Sequence, residues 1–216
     1  MITLYSWATG NGRRASIMLE ECGLPYELRA MELSTKVQKS DWYLKINPDG
    51  RIPAITDDDA GDGKPVVISE SGAILMYLAE KSGKFMPRNG AARAEALKWL
   101  FVQTSNLSPM AMQVHWFGRA HEEGNGRLPN ADTYFGVYRD EVRRLYGLMD
   151  RRLADAEYLA GEYSIADMAA SPWVFRYPQQ DISLDRMPSL KRWFDAVGAR
   201  PAVKRGMQIP PRKDGL

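Results

Sequence analysis

The stretch Asn47-Pro-Asp-Gly-Arg-Ile-Pro-Ala-Ile-Thr56, followed by Glu70-Ser-Gly-Ala-Ile-Leu-Met-Tyr-Leu78, decides how the first part of the chain is read. Pro53 heads the strand-forming run Ala54-Ile55-Thr56 and has no N–H to give to a ladder. A proline so placed belongs at the first residue of an edge strand or in a tight turn, the setting in which cis X–Pro bonds occur. Glu70 and Ser71 stand directly before an apolar run of helical spacing, so a carboxylate, a hydroxyl and a helix N-terminus coincide. Such a cluster suits a small zwitterion that brings its own carboxylate.

Upstream, residues 2–6 (Ile-Thr-Leu-Tyr-Ser) alternate and are rich in β-formers, which predicts a strand. The turn-rich Ala8-Thr-Gly-Asn-Gly12 opens a helix. Its apolar positions Ala15, Met18, Leu19 and Cys22 recur at helical spacing, and Gly23 with Pro25 ends it. Residues 26–31 form a second strand, and the right-handed crossover rule makes the two strands a parallel βαβ pair. Residues 36–44 predict a short irregular helix. Strands at 52–56 and 66–69 join through Asp57-Asp-Asp-Ala-Gly-Asp-Gly63, and a helix over 71–81 closes the unit. The Asp-rich loop lacks the spaced ligands and terminal Glu of a calcium loop and reads as a solvated turn.

Downstream of Phe85-Met-Pro-Arg-Asn-Gly90 the pattern turns all-helical. A long helix runs from 91 to about 113, kinked at Pro109, which removes one backbone bond. A second covers 132–155, with Phe135, Tyr138, Val142, Leu145, Met149 and Leu153 as its apolar seam. Others span 164–175 and 188–199. The expected division is an N-terminal unit over 1–82, a linker over 83–90 and a helical unit over 91–216.

With 216 residues, 44% of them hydrophobic and 26% charged, the chain is long and apolar enough to bury a core rather than stay disordered. A net charge of only +2, with Arg-Arg pairs scattered at 13–14, 143–144 and 151–152, argues against nucleic-acid binding. Apolar runs break within about ten residues, too short for a bilayer. The start, Met-Ile-Thr-Leu-Tyr-Ser, has no secretory character, and a single cysteine, Cys22, permits no internal disulfide. Both point to a reducing, cytoplasmic setting.

Three segments together, Arg51-Ile-Pro-Ala-Ile55, Glu70-Ser71-Gly-Ala-Ile-Leu-Met-Tyr-Leu78 and Tyr163-Ser164-Ile-Ala-Asp167-Met, resemble the cytosolic glutathione transferases. Within that superfamily the Ala8-to-Gly12 loop and Gln38 are most similar to the bacterial nu class. The resemblance implies a thioredoxin-like α/β N-terminal domain (βαβ-ββα) followed by an all-α domain, glutathione as co-substrate, no metal, and a homodimer. It also implies a cis Ile52-Pro53 bond whose Ile52 main chain pairs with the cysteinyl part of glutathione as a very short added strand. Gln38 and Arg51 would hold the glycyl end.

The residue types fit those roles. Ser71 offers a hydroxyl and helix N–H groups to the γ-glutamyl carboxylate, and Glu70 accepts from the ammonium. Simple capping of the helix is the alternative for this pair. A thiol is mostly protonated at neutral pH, and Thr9 and Asn11, with the dipole of the first helix, are the donors placed to favour its thiolate. Tyr5 and Ser6 are weaker alternatives. Arg13 and Arg14 read as solvated side chains that add only to the field. Cys22, at the C-terminal end of the helix on its apolar face, reads as buried and inert.

Ser164 to Asp167 has the form of a capping box. His115 and His121 lack a third metal ligand. Met110, Met112, Trp116 and Phe117 form an apolar stretch that by itself reads as core; the resemblance implies that it lies where the family's electrophile pocket begins, and Met and aromatic walls suit varied hydrophobic substrates. Where some nu-like relatives use an arginine to reach glutathione this chain departs from the pattern and reads Tyr134-Phe-Gly-Val-Tyr138, which leaves open whether the neighbouring Arg139 takes that role. The expected activity is attack of the glutathione thiolate on a small hydrophobic electrophile. The alternatives are reduction of a disulfide with two glutathiones, or a non-catalytic regulatory role on the same scaffold.

Overall fold

The computed structural model describes residues 1–122 and 130–211, the side chains of 119–122 excepted. The chain forms two compact units: Met1–Arg88 together with Gly198–Leu216, and Asn89–Val197.

The first unit is built on β1 (Ile2–Ser6), α1 (Gly10–Cys22), β2 (Tyr26–Ala30), α2 (Asp41–Leu44), β3 (Ala54–Asp57), β4 (Val66–Ser69) and α3 (Ser71–Ser82). Its sheet has the order β2-β1-β3-β4. β1 and β2 run parallel from Ile2 opposite Tyr26, as the βαβ reading requires. β3 is antiparallel to β1, with Tyr5 opposite Ala54, and β4 is antiparallel to β3, with Ala54 opposite Ser69. Gly23 ends α1 in the left-handed region at φ 69°, and its N–H donates to the carbonyl of Leu19. This is the C-cap that glycine adopts without a Cβ penalty.

Sheet pairing of β3 begins at Ala54, two residues later than the sequence predicts. Pro53 cannot donate, so the ladder stops there and the main chain of Ile52 lies outside it. The Ile52-Pro53 bond is cis. Beneath it a small cluster of Met31, Tyr43 and Ala54, joined by Tyr5, Val37, Ile46 and Ile52, anchors the loop. Tyr5 packs against Tyr43 at 5.9 Å between ring centroids, which makes it a packing residue of this cluster.

The C-terminal segment returns to this unit. Helix α9 (Pro201–Gly206) packs on α1, whereas the sequence suggested one helical domain over 91–216. Arg200 makes a two-pronged pair with Glu21, at 2.6 and 2.9 Å, and Ser16 Oγ donates to the carbonyl of Gly206 at 2.7 Å.

The second unit is helical: α4 (Gly90–Phe101), α5 (Ser108–Glu122), α6 (Ala131–Ala154), α7 (Ile165–Val174) and most of α8 (Pro188–Ala199). Between α4 and α5 the expected kink at Pro109 takes the form of a π-helical turn, Val102–Leu107. Pro109 has no N–H for the carbonyl one turn back, and the ladder widens just ahead of it. There the N–H and Oγ of Ser108 both reach the carbonyl of Gln103. The predicted seam of α6 is buried at Val142, Leu145, Met149 and Leu153, with Tyr146 added.

At the N-terminus of α7 the predicted capping box is present. The Asp167 carboxylate is fully buried and accepts from Leu159 N–H, Ser164 N–H and Trp193 Nε1, with Ser164 Oγ also in reach. Burial pushes this carboxyl up to about 6, and the surrounding donors pull against that rise.

Candidate functional site

The end of β1, the first turn of α1 and the start of α3 meet in the first unit. Thr9 is the N-cap of α1, extended at φ −116°, and its Oγ1 accepts from Gly12 N–H at 3.0 Å. Gly12 allows the turn to close this tightly: a Cβ there would stand 2.1 Å from the carbonyl oxygen of Trp7 and 2.6 Å from Ser6 Oγ. No side chain fits. Asn11 sits in the first turn of α1.

Arg14 corrects the sequence reading. It is buried, at 1% exposure, and not a solvated surface group. Its NH1 donates to Asn11 Oδ1 at 3.0 Å and to Ser71 Oγ at 3.1 Å, joining α1 to the first residue of α3. Burial lowers its pKa to about 9, which leaves it cationic at neutral pH. Its burial depends on α3, which the local pattern does not show.

Ser71 is buried and is the first residue of α3, with Glu70 as N-cap. Neither side chain caps the helix, so the capping alternative does not describe this pair. Glu70 adopts φ 71° and ψ 115°, a left-handed backbone rare for a residue with a Cβ, at a cost of about 1–3 kcal/mol. Strain of this kind persists where the surrounding structure over-determines it, commonly at ligand sites. The Glu70 side chain is exposed.

The opposite flank is the turn ahead of the cis bond. Tyr43 Oη and Asn47 Nδ2 both donate to the carbonyl of Arg51, at 2.7 and 2.8 Å, and fix the main chain on entry to Ile52. Gly50, at φ 61°, brings this turn against the Val37–Lys39 turn, where a Cβ would lie 2.9 Å from the carbonyl oxygen of Gln38. Gln38 Oε1 is buried and accepts nothing among the described residues. A buried acceptor without a partner is costly and marks a place for a donor. Arg51 itself is exposed and pairs with Asp49 at 3.1 Å.

The other candidates have partners elsewhere or lie outside the described side chains. Cys22 is buried, lies within 3.2 Å of Ser82 Oγ, and has its thiol pKa pushed up by burial. Arg139 is engaged by Asp181 at 2.7 Å. His115 Nδ1 lies 3.4 Å from Arg176 NH2, and the side chain of His121 is outside the described residues. Two surface cavities of about 670 and 560 Å³ in the second unit, bounded by Pro178 and Asp185, hold none of the predicted residues.

Two family models match the chain: the N-terminal domain of glutathione S-transferases over residues 11–81 and the C-terminal domain over 107–201. The chain belongs to the glutathione S-transferase family. It is 40% identical to the disulfide-bond oxidoreductase YfcG of Escherichia coli over 96% of this chain and 94% of that one. It is 34% identical to YghU, a second protein of that description from the same organism, over 99% and 76%. Among solved structures, a family member from Pseudomonas fluorescens with two glutathione bound superposes at TM-score 0.88, with 39% identity over 95% of this chain and 92% of that one. A Pseudomonas putida glutathione transferase with one glutathione disulfide bound per subunit also gives 0.88, with 38% identity over 97% and 91%. The fold is thus the thioredoxin-like sheet domain plus helical domain of this family.

Proposed function

We propose that the chain is a glutathione-dependent disulfide-bond reductase that uses two glutathiones and no cysteine of its own. The carrying observation is a cluster of hydroxyl and amide groups at Thr9, Asn11 and Ser71 with the one cysteine buried away from it. The two Escherichia coli relatives named for disulfide-bond oxidoreduction, and the neighbours with two glutathiones or a glutathione disulfide bound, favour this over conjugation.

The donor set fits the tripeptide. Ser71 and the first N–H groups of α3 take the γ-glutamyl carboxylate, with the positive end of the helix behind them, and Glu70 takes the ammonium. The unpaired main chain of Ile52 takes the cysteinyl peptide, and the orphaned Gln38 Oε1 accepts an N–H toward the glycyl end. Arg51 adds only charge near that end. Thr9 and Asn11 hold the thiolate. It attacks one sulfur of the substrate disulfide, forming a mixed disulfide and releasing a thiolate. The thiolate of a second glutathione then attacks the glutathione sulfur of the mixed disulfide, forming glutathione disulfide and releasing the second thiolate, which is protonated. Two glutathiones are oxidised for each disulfide reduced.

Conjugation of a hydrophobic electrophile is the second reading, supported by the exposed apolar Met112 and Trp116 of α5. Assaying hydroxyethyl disulfide reduction and chlorodinitrobenzene conjugation on one preparation separates them. A disulfide rate well above the conjugation rate, unchanged in Cys22→Ala, is expected. A dominant conjugation rate overturns the proposal. The working unit in this reading is a homodimer, checked by light scattering of the purified chain.

A further inference from the structure

We infer that Arg14 is a positioning residue that sets the hydrogen-bond polarity of Asn11 and Ser71, turning both into outward donors. This rests on the glutathione reading above. The argument is one of donor inventory. A guanidinium has only donors and no acceptor, so any group that bonds to it must offer an oxygen. Asn11 gives Oδ1 to Arg14, so what remains of its carboxamide to meet a ligand is the NH2, which can only donate. The rotational ambiguity of an asparagine amide is thereby resolved by chemistry.

The same holds for Ser71. Its Oγ accepts from Arg14, so its own hydrogen is the one left to give. Thr9 Oγ1 accepts from Gly12 N–H and is set in the same sense by the main chain. Three side chains along the site therefore each have an oxygen that accepts from within the protein. Each presents a proton to what binds there: a ligand anionic at two places, a thiolate beside Thr9 and Asn11 and a carboxylate beside Ser71. Were residue 14 an acceptor, Asn11 and Ser71 could turn their protons inward, and both anionic ends would lose donors at once. Because Arg14 is buried, its charge acts through a medium of low dielectric and is little screened by solvent.

The polarity role differs from simple bracing of α1 against α3, and the difference is measurable. The ultraviolet absorbance of the thiolate gives the thiol pKa of glutathione bound to the full chain, and calorimetric titration with glutathione gives Kd. The wild-type complex titrates well below the ~8.5 of a free thiol. Arg14→Gln, whose amide oxygen can accept from both neighbours, raises the bound thiol pKa by about one unit or more and weakens binding roughly 10- to 100-fold. Arg14→Lys keeps a donor-only group and restores most of both.

An Arg14→Gln variant that is folded by circular dichroism, with the thiol titration and Kd of the wild type, overturns the inference. So does an Arg14→Lys variant no better than Arg14→Gln. Should Arg14→Gln not fold, Asn11→Asp tests the same polarity. It keeps an oxygen for Arg14 but shows a second oxygen to the sulfur, so the bound thiol pKa must rise, and an unchanged titration overturns the inference. Wild-type protein that does not bind glutathione sinks this inference together with the glutathione reading. Wild-type binding with unaltered variants sinks this inference alone.

Discussion

Gly206 of α9 rests on the main chain of Ile17 in α1, where a Cβ would stand 2.6 Å from the Ile17 Cα and 2.7 Å from its nitrogen. Neither atom belongs to a flexible side chain, so the contact cannot be relieved by a rotamer change. Gly206→Ala must push α9 off α1, straining the Ser16–Gly206 bond and the Arg200–Glu21 pair. Overpacking of this sort costs about 1–3 kcal/mol. Chemical denaturation reads that loss as a lower midpoint at unchanged slope, and a wild-type midpoint would show that α9 does not hold α1.

In the proposed function the donor cluster divides its labour between binding and turnover. Ser71→Ala removes a charge-assisted bond to the carboxylate, worth about 1.5–3 kcal/mol, so glutathione affinity falls roughly 10- to 100-fold. Asn11→Ala and Thr9→Ala instead lose a donor to the sulfur, and kcat falls about 100-fold while affinity changes little. Thr9→Ala also loses the N-cap of α1, about 1 kcal/mol of stability. Equal losses of affinity in all three variants would contradict this division.

The main chain ahead of Ile52 is held by two donors on one carbonyl. Removing the Tyr43 hydroxyl as Phe, or the Asn47 amide as Ala, leaves the Arg51 carbonyl with one partner. Each lost bond costs about 1 kcal/mol, Asn47→Ala giving up the bond from Asp49 N–H as well, and loosens the edge that in the proposed function pairs with the tripeptide. Steady-state kinetics should show a higher KM for glutathione at a nearly constant kcat. A fall in kcat at constant KM would mean that this turn serves the thiol instead.

Much of this arrangement is legible locally, and the part that is not has a common cause. The proline at the head of β3, the glycine ending α1, and the Ser164–Asp167 box are set by neighbours a few residues away, and their residue types announce them. Arg14 is different. Its burial comes from Ser71, 57 positions on, and an arginine beside Arg13 at a helix start carries no local sign of it. The return of α9 to α1 depends on Glu21 meeting Arg200, 179 positions apart. The strained Glu70 backbone is likewise imposed by the fold around it, since nothing in Ser-Glu-Ser-Gly predicts a positive φ at the glutamate.

Asp57 gives the first unit an acid-sensitive contact. It is buried at the end of β3, where it accepts from Tyr77 Oη at 2.7 Å and pairs with Lys81 Nζ at 2.9 Å. Burial alone raises its pKa, but the bonds from Lys81 and Tyr77 outweigh that and hold the carboxyl below its ordinary value. The folded state therefore binds its proton less tightly than the unfolded chain. The stabilisation is complete above the unfolded carboxylate pKa, near ~3.9, and is lost as pH falls through the lower folded value. Asp57→Asn should flatten this acid limb of a stability-versus-pH curve. An unaltered limb would place the acid sensitivity elsewhere.

In the second unit one carboxylate ties α7, α8 and the segment ahead of α7. Asp167 accepts from Leu159 N–H, Ser164 N–H and Trp193 Nε1. Asparagine is nearly isosteric but has one oxygen, and its NH2 would face groups that are themselves donors. Asp167→Asn leaves at least one buried N–H without an acceptor, a loss of about 1–3 kcal/mol per group, and more if the box opens. The comparison is Trp193→Phe, which removes the Nε1 donor and, because Trp193 is fully buried, also leaves a cavity where the second ring was. The cavity cost is common to the single and double variants, so the double variant should still fall short of the sum because both changes break the same bond. Strict additivity would mean that Trp193 and Asp167 act independently and that the network does not bind α8 to α7.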